Sequence, residues 1–189
     1  NHQNPVHVGF YQSDFALLDI MIRNNIAYLA ESRKGLELVD VSDPHNPVSL
    51  GYYNPPGNPN RVFASGDFAY ITSTDNSLQI FEVSQPDSID FIGSYTLNSE
   101  AVSVFVDSNI AYVGQSAMPQ LSIIDVGDPE NPQLIQEWGS FLGACRQIII
   151  IDSIAFLAID SHGIEIANVN DPYNIEFLGN CRIAEGFGD

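Results

Sequence analysis

The chain states one pattern four times, and that repetition limits its fold more than any other feature. The signals Ala27-Tyr28-Leu29, Ala69-Tyr70-Ile71, Ala111-Tyr112-Val113 and Ala155-Phe156-Leu157 recur every 42 to 44 residues, each followed by a proline: Pro44, Pro86, Pro129 and Pro172. A unit this short, made of brief apolar runs, cannot bury its own faces and must stack on copies of itself. For β repeats of this length the expected architecture is all-β, a β-propeller of four-stranded antiparallel blades, with about four blades and no significant helix.

The second unit displays the four strands in turn: Asn60 to Ser65, Ala69 to Ser73, Leu78 to Ser84 and Phe91 to Tyr95. Between them lie Gly66-Asp67, Asp75-Asn76 and Gln85-Pro86-Asp87, residues that accept positive φ or fix φ near that of a turn. The first strands, such as Ile20-Met21-Ile22, Val104-Phe105-Val106 and Ile148 to Ile151, are continuously apolar. Such runs predict that both faces are covered by neighbouring sheets. The whole of residues 1–189 reads as one propeller domain, with blades over about 15–54, 58–96, 100–139 and 144–181.

The run Gly35-Leu36-Glu37-Leu38-Val39-Asp40-Val41-Ser42-Asp43-Pro44-His45-Asn46-Pro47-Val48 resembles the LVIVD repeat. It recurs as Leu121-Ser122-Ile123-Ile124-Asp125-Val126-Gly127-Asp128-Pro129-Glu130-Asn131-Pro132, and more loosely around Pro86 and Pro172. Gln85 departs from the pattern before Pro86, and Gln136 replaces the glycine of Gly51, Gly93 and Gly179. The resemblance implies a prokaryotic, secreted or cell-surface β-propeller protein, and it implies no activity.

Asn4-Pro5-Val6-His7-Val8-Gly9-Phe10-Tyr11 matches Asn46-Pro47-Val48-Ser49-Leu50-Gly51-Tyr52-Tyr53, so residues 1–14 are expected to form an extra strand of the outermost type. Five outer strands then accompany four inner sets. Three arrangements follow: a closed four-bladed ring with a surplus strand, an arc of a larger ring, or a ring completed by oligomerisation or strand exchange. Asn1 follows no initiator Met, basic stretch or apolar leader, which suggests a processed or excised segment.

Charge restricts the partners. Six Lys plus Arg against 24 Asp plus Glu give a net charge of −18, which repels phosphate backbones and anionic lipid surfaces. Nucleic acid is not an expected partner, and no apolar run is long enough for a membrane helix, so no membrane insertion is expected. Cys145 and Cys181, placed on the first and last strands of one blade, are too far apart to pair, and both are expected to be free and mostly buried.

The Asp-Pro turns carry Asp40, Ser42, Asp43 and Asn46, and again Asp125, Asp128 and Asn131. They are oxygen-rich but lack calcium-loop spacing, so they read as Asx turns locked by proline. Asp40, Glu82, Asp125 and Asn168 are expected to satisfy buried backbone donors. Asp160-Ser161-His162-Gly163 scans as a hairpin turn rather than part of a triad. His2, His7, His45 and His162 show no metal spacing, and Gly186-Phe187-Gly188 matches no phosphate loop. No metal, cofactor or catalytic residue is assigned.

One set of positions remains. Asp19, Arg61, Ser103 and Gln147 occupy equivalent places near the starts of the innermost strands, where a propeller converges on its channel. With the preceding polar residues Asn60 and Arg146, they form the candidate ligand-binding mouth, and Asp19 with Arg61 reads as an internal ion pair. The functional expectation is a non-enzymatic interaction or scaffold module presenting face loops to a protein or glycan. The alternative is a small-ligand-binding or hydrolytic domain working at the mouth.

Overall fold

The computed structural model describes residues 4–85, 87–139, 143–160 and 162–181. Pro86, Ser161, His2 and the Gly186-Phe187-Gly188 run lie outside these residues. Sixteen strands form four antiparallel sheets, each a meander whose order follows the chain, so the molecule is a β-propeller array with no helix among the described residues. Blade 1 comprises β1 (Leu17–Arg23), β2 (Ile26–Glu31), β3 (Gly35–Asp40) and β4 (Val48–Tyr53). Blade 2 comprises β5 (Pro59–Ser65), β6 (Phe68–Ser73), β7 (Ser77–Gln85) and β8 (Ser88–Thr96). Blade 3 holds β9 (Ala101–Asp107), β10 (Ile110–Gln115), β11 (Leu121–Asp125) and β12 (Gln133–Trp138). Blade 4 holds β13 (Cys145–Ile151), β14 (Ile154–Ile159), β15 (Gly163–Asn168) and β16 (Glu176–Cys181).

The hairpins form where the turn chemistry places them. Gly66 and Asn76 both adopt positive φ, 59° and 64°, which glycine and asparagine tolerate best. Each Asp-Pro connection is an Asx turn: Asp43 Oδ1 accepts the His45 amide at 3.0 Å, and Asp171 Oδ1 accepts that of Tyr173 at 3.0 Å. Asp40, Asp125 and Asn168 do the same for Ser42, Gly127 and Asn170. These donors are exposed, not buried as the sequence suggests, because they lie where the chain leaves the third strand for solvent.

The core consists of seams between blades. Leu36, Leu38 and Tyr28 of blade 1 meet Val62, Ile71 and Phe81 of blade 2. Leu78, Ile80 and Tyr70 of blade 2 meet Val104, Val113 and Ile124 of blade 3. Leu121, Ile123 and Tyr112 of blade 3 meet Ile148 and Leu157 of blade 4. Among the described residues no such seam joins blade 4 to blade 1, so the four blades form an open arc.

The continuous apolar runs are therefore sandwiched in the middle of the arc and not at its ends. Val62, Val104 and Val106 are buried, whereas Leu18, Ile20 and Ile22 of β1 and Ile149 and Ile151 of β13 are exposed. Residues 4–14 are not a strand, contrary to the sequence expectation: among the described residues no sheet pairs with them to complete a ladder. They nevertheless run along blade 1 as a strap. Tyr11 packs on Ala27, Leu29 and Val39, the His45 ring bonds the Val8 carbonyl, and a Cβ on Gly9 would overlap the Pro44 carbonyl oxygen.

Both cysteines are free, with Cys145 buried and Cys181 exposed. The exposure of Cys181 corrects the expectation of two buried thiols. Its strand ends the described arc, and among the described residues no further blade covers it.

Candidate functional site: the channel mouth

Every innermost strand contains the same irregularity. In β1, β5, β9 and β13 the pairing register slips by one residue, leaving Leu18, Asn60, Val102 and Arg146 as the unpaired extra residue of a β-bulge. A bulge bends the strand and re-aims the side chain after it. Those side chains belong to Asp19, Arg61, Ser103 and Gln147, and all four line one cavity of about 270 Å³ between the four strands. Two residues further on, Met21, Phe63, Phe105 and Ile149 line the same cavity as an apolar layer, and the Phe63 and Phe105 rings lie 5.0 Å apart.

The sequence-derived set thus divides. Asp19, Arg61, Ser103 and Gln147 converge, whereas Asn60 and Arg146 do not, because they occupy the bulges. Asn60 Nδ2 reaches blade 3, donating to Glu100 Oε1 at 3.0 Å and to the Ala101 carbonyl at 2.8 Å. Arg146 turns outward and pairs with Asp160 at 2.7 Å on the surface.

The expected Asp19–Arg61 ion pair does not form. Asp19 Oδ2 accepts the Val62 amide at 3.0 Å, tying blade 1 to blade 2, and Ser103 Oγ donates to the Cys145 carbonyl at 2.7 Å, tying blade 3 to blade 4. Arg61 Nη1 donates to the carbonyl of its neighbour Asn60 at 2.8 Å. Its guanidinium has further donors, since an arginine carries five N–H groups. Gln147 is exposed at the rim.

A second polar cluster was not anticipated from the sequence. Glu31 and Glu37, both fully buried, sit where blade 3 carries Gln115 and Ser122. Tyr11 and Ser49 donate to Glu37 Oε1 at 2.7 and 2.6 Å, Lys34 Nζ lies 2.7 Å from Glu37 Oε2, and Ser13 donates to Glu31 Oε2 at 2.5 Å. Burial pushes the Glu31 carboxyl up, and its contact with Glu37 adds to the rise. Burial also opposes ionisation of Glu37, but hydrogen bonds from Glu31, Lys34, Ser49 and Tyr11 outweigh it and hold that carboxyl below its ordinary range. The two carboxyls are thus shifted in opposite directions, Glu31 up and Glu37 down, and their polar partners Tyr11 and Ser13 fasten the strap to blade 1. The signal available in the sequence was a charged residue in repeat positions that are neutral in blades 2 and 3.

A sequence profile of the LVIVD repeat matches residues 18–55, 56–97 and 99–138, more than half of the chain. No curated protein matches. Among solved structures, the computationally designed Ika4 protein superposes with a TM-score of 0.69 at 10% identity, covering 93% of this chain and 99% of that one. A functionally unknown protein from Desulfotomaculum acetoxidans DSM 771 gives 0.74 at 15% identity, and a protein from Lactobacillus plantarum gives 0.76 at 12%. This chain is covered over 89% and 90% in these two, and it spans 57% of the length of each. At such identities the likeness speaks to the fold alone.

Proposed function

Since the chain belongs to the LVIVD-repeat family, whose name records a motif and no activity, we propose from its channel mouth that it is a non-enzymatic binding module that receives an anionic group of a protein or glycan beside Arg61. The observation that carries this reading is the fourfold bulge, which aims one polar side chain from each blade into a single cavity with Arg61 as the only cation among them. Asp19 and Ser103 are engaged in holding blades together, so Arg61 and Gln147 are the groups that can turn to a ligand.

Size favours a group rather than a whole small molecule. The cavity of about 270 Å³ is at or below the lower end of ordinary ligand pockets, roughly 300 Å³. It suits one carboxylate or sulfate projecting from a larger partner, which the blade loops around the mouth would contact. The secreted or cell-surface setting is part of the proposal, and fractionating cells that produce the protein tests it.

Calorimetric titration with sulfate, glucuronate and N-acetylglutamate, alongside a sulfated and acidic glycan array, tests the binding. The acidic probes should bind and neutral sugars should not, with Arg61→Ala abolishing the signal while leaving the melting temperature unchanged. Acidic ligands that bind Arg61→Ala as well as the native chain would retire the assignment.

A further inference from the structure

The strap and the uncovered end of the arc are two halves of one junction. In blades 2 and 3 the outermost strand lies against the Asp-Pro turn of the next blade. Gly93 is pressed on the Pro129 carbonyl, and Gln136 Nε2 donates to the Pro172 carbonyl at 2.8 Å. An aromatic residue two positions further on packs into the seam: Tyr53, Tyr95 and Trp138. The strap makes the same contacts on blade 1 through Gly9 on Pro44 and Tyr11 on Leu29 and Val39. It occupies the place of a fourth strand, with no sheet beside it among the described residues.

At the other end, β16 is a fourth strand whose outward side no described residue covers. Gly179 meets no atom where Gly9 and Gly93 meet a proline carbonyl, and Cys181 stands where the other blades carry Tyr or Trp. The face behind it is built like the covered ones. Tyr28, Tyr70 and Tyr112 are 6%, 3% and 4% exposed, but the equivalent Phe156 is 38% exposed. Leu36, Leu78 and Leu121 are wholly buried, whereas Ile164 is 45% exposed. Blade 1 offers the complementary surface, since Ile20 and Ile22 are the exposed counterparts of the buried Val62 and Ala64.

We propose that a second copy of this chain covers both ends. The blade-4 face of one copy packs on the β1 side of the other, repeating the three internal seams, and two such junctions close eight blades into a ring. The strap stays on its own blade 1 and adds to β15 of the partner as a fourth strand, with Gly9 opposite Ile166 and Tyr11 opposite Ile164, the pairings that Gly179 and Cys181 now hold. Tyr11 then fills the aromatic place that Cys181 leaves empty, and β16 is released. This exchange keeps every observed strap contact and satisfies its unpaired backbone edge, the exposed end-strand liability that β proteins cover.

The test uses the full chain. Light scattering coupled to size exclusion should give twice the 20.7 kDa chain mass. Phe156→Asp and Ile22→Asp alter opposite ends at exposed positions, so each should stay folded by melting and run as a monomer. Mixed together they should recover a dimer, because one intact junction remains. In the native dimer, hydrogen exchange at residues 6–11 should slow at least roughly tenfold on association, while β16 exchanges faster. A single-chain mass up to millimolar concentration would overturn the proposal and point to an unrelated three-stranded sheet as the occupant. A dimer broken by only one of the two variants, or one in which β16 keeps its protection, would overturn it equally.

Discussion

Gly93 lies against the carbonyl of Pro129 in the next blade, so closely that a Cβ on the glycine would overlap the oxygen. The backbone approach is possible only without a side chain, and it docks β8 on the Asp-Pro turn of blade 3. Gly93→Ala should therefore force blades 2 and 3 apart and lower stability by about 1–3 kcal/mol. Gly179→Ala, the same change at a position that meets no atom, should stay within about 0.5 kcal/mol. Urea denaturation of the two variants checks the contrast, and equal losses would mean the carbonyl contact is not the cause.

The mouth residues should separate into structural and receptive ones. Asp19→Ala leaves the Val62 amide without its acceptor, and Ser103→Ala leaves the Cys145 carbonyl without its donor. Each should cost about 1–3 kcal/mol in a denaturant titration. Gln147→Ala, at an exposed rim position, should leave the unfolding midpoint unchanged and alter only binding of acidic probes.

The buried carboxyl pair gives a pH dependence whose sign is fixed by its two shifts. Glu31 has its pKa raised above the ordinary 4.5, so the native state holds a proton that the unfolded chain releases, and stability falls as pH rises through that interval. Glu31→Gln, which copies Gln115 of blade 3, should remove this decline and raise stability at pH 7 by about 1 kcal/mol. Glu37 is shifted the other way: its contribution is present above 4.5 and lost as pH falls through its lowered value. Glu37→Gln leaves Lys34 without its counter-ion and should cost about 3 kcal/mol at pH 7. Unfolding midpoints of the native chain and both variants from pH 4 to pH 8 measure these slopes.

The blades were legible in the sequence because each strand is written four times, so a weak signal at Ala69-Tyr70-Ile71 is reinforced at Ala27, Ala111 and Ala155. The mouth was only half legible. A one-residue bulge leaves the apolar pattern of a strand intact, and so Asn60 and Arg146 looked like neighbours of Arg61 and Gln147 when the bulge turns them away. The Glu31–Glu37 pair was illegible for a different reason. Its burial depends on Tyr11 and Ser13, which come from a strap outside the repeat unit, and nothing local to Glu31 records their approach. The uncovered Ile20 and Ile22 read as core because their counterparts in the middle blades, Val62 and Val104, Ala64 and Val106, are core; position in the arc, not residue type, exposes them.

Thiol chemistry distinguishes the two ends of blade 4. Cys145 is wholly buried beneath the seam with blade 3, and burial pushes its thiol up to about 12, so at neutral pH it is neither ionised nor reachable. Cys181 is exposed at the end of β16. Ellman's reagent should therefore titrate one thiol rapidly in the native chain and two after denaturation. Alkylation followed by mass mapping should place the fast site at Cys181. Strand exchange releases β16 and leaves Cys181 accessible, so its rate should hold or increase on association. A thiol that becomes protected in the dimer would show β16 still clamped between blades, where the exchanged arrangement puts the strap.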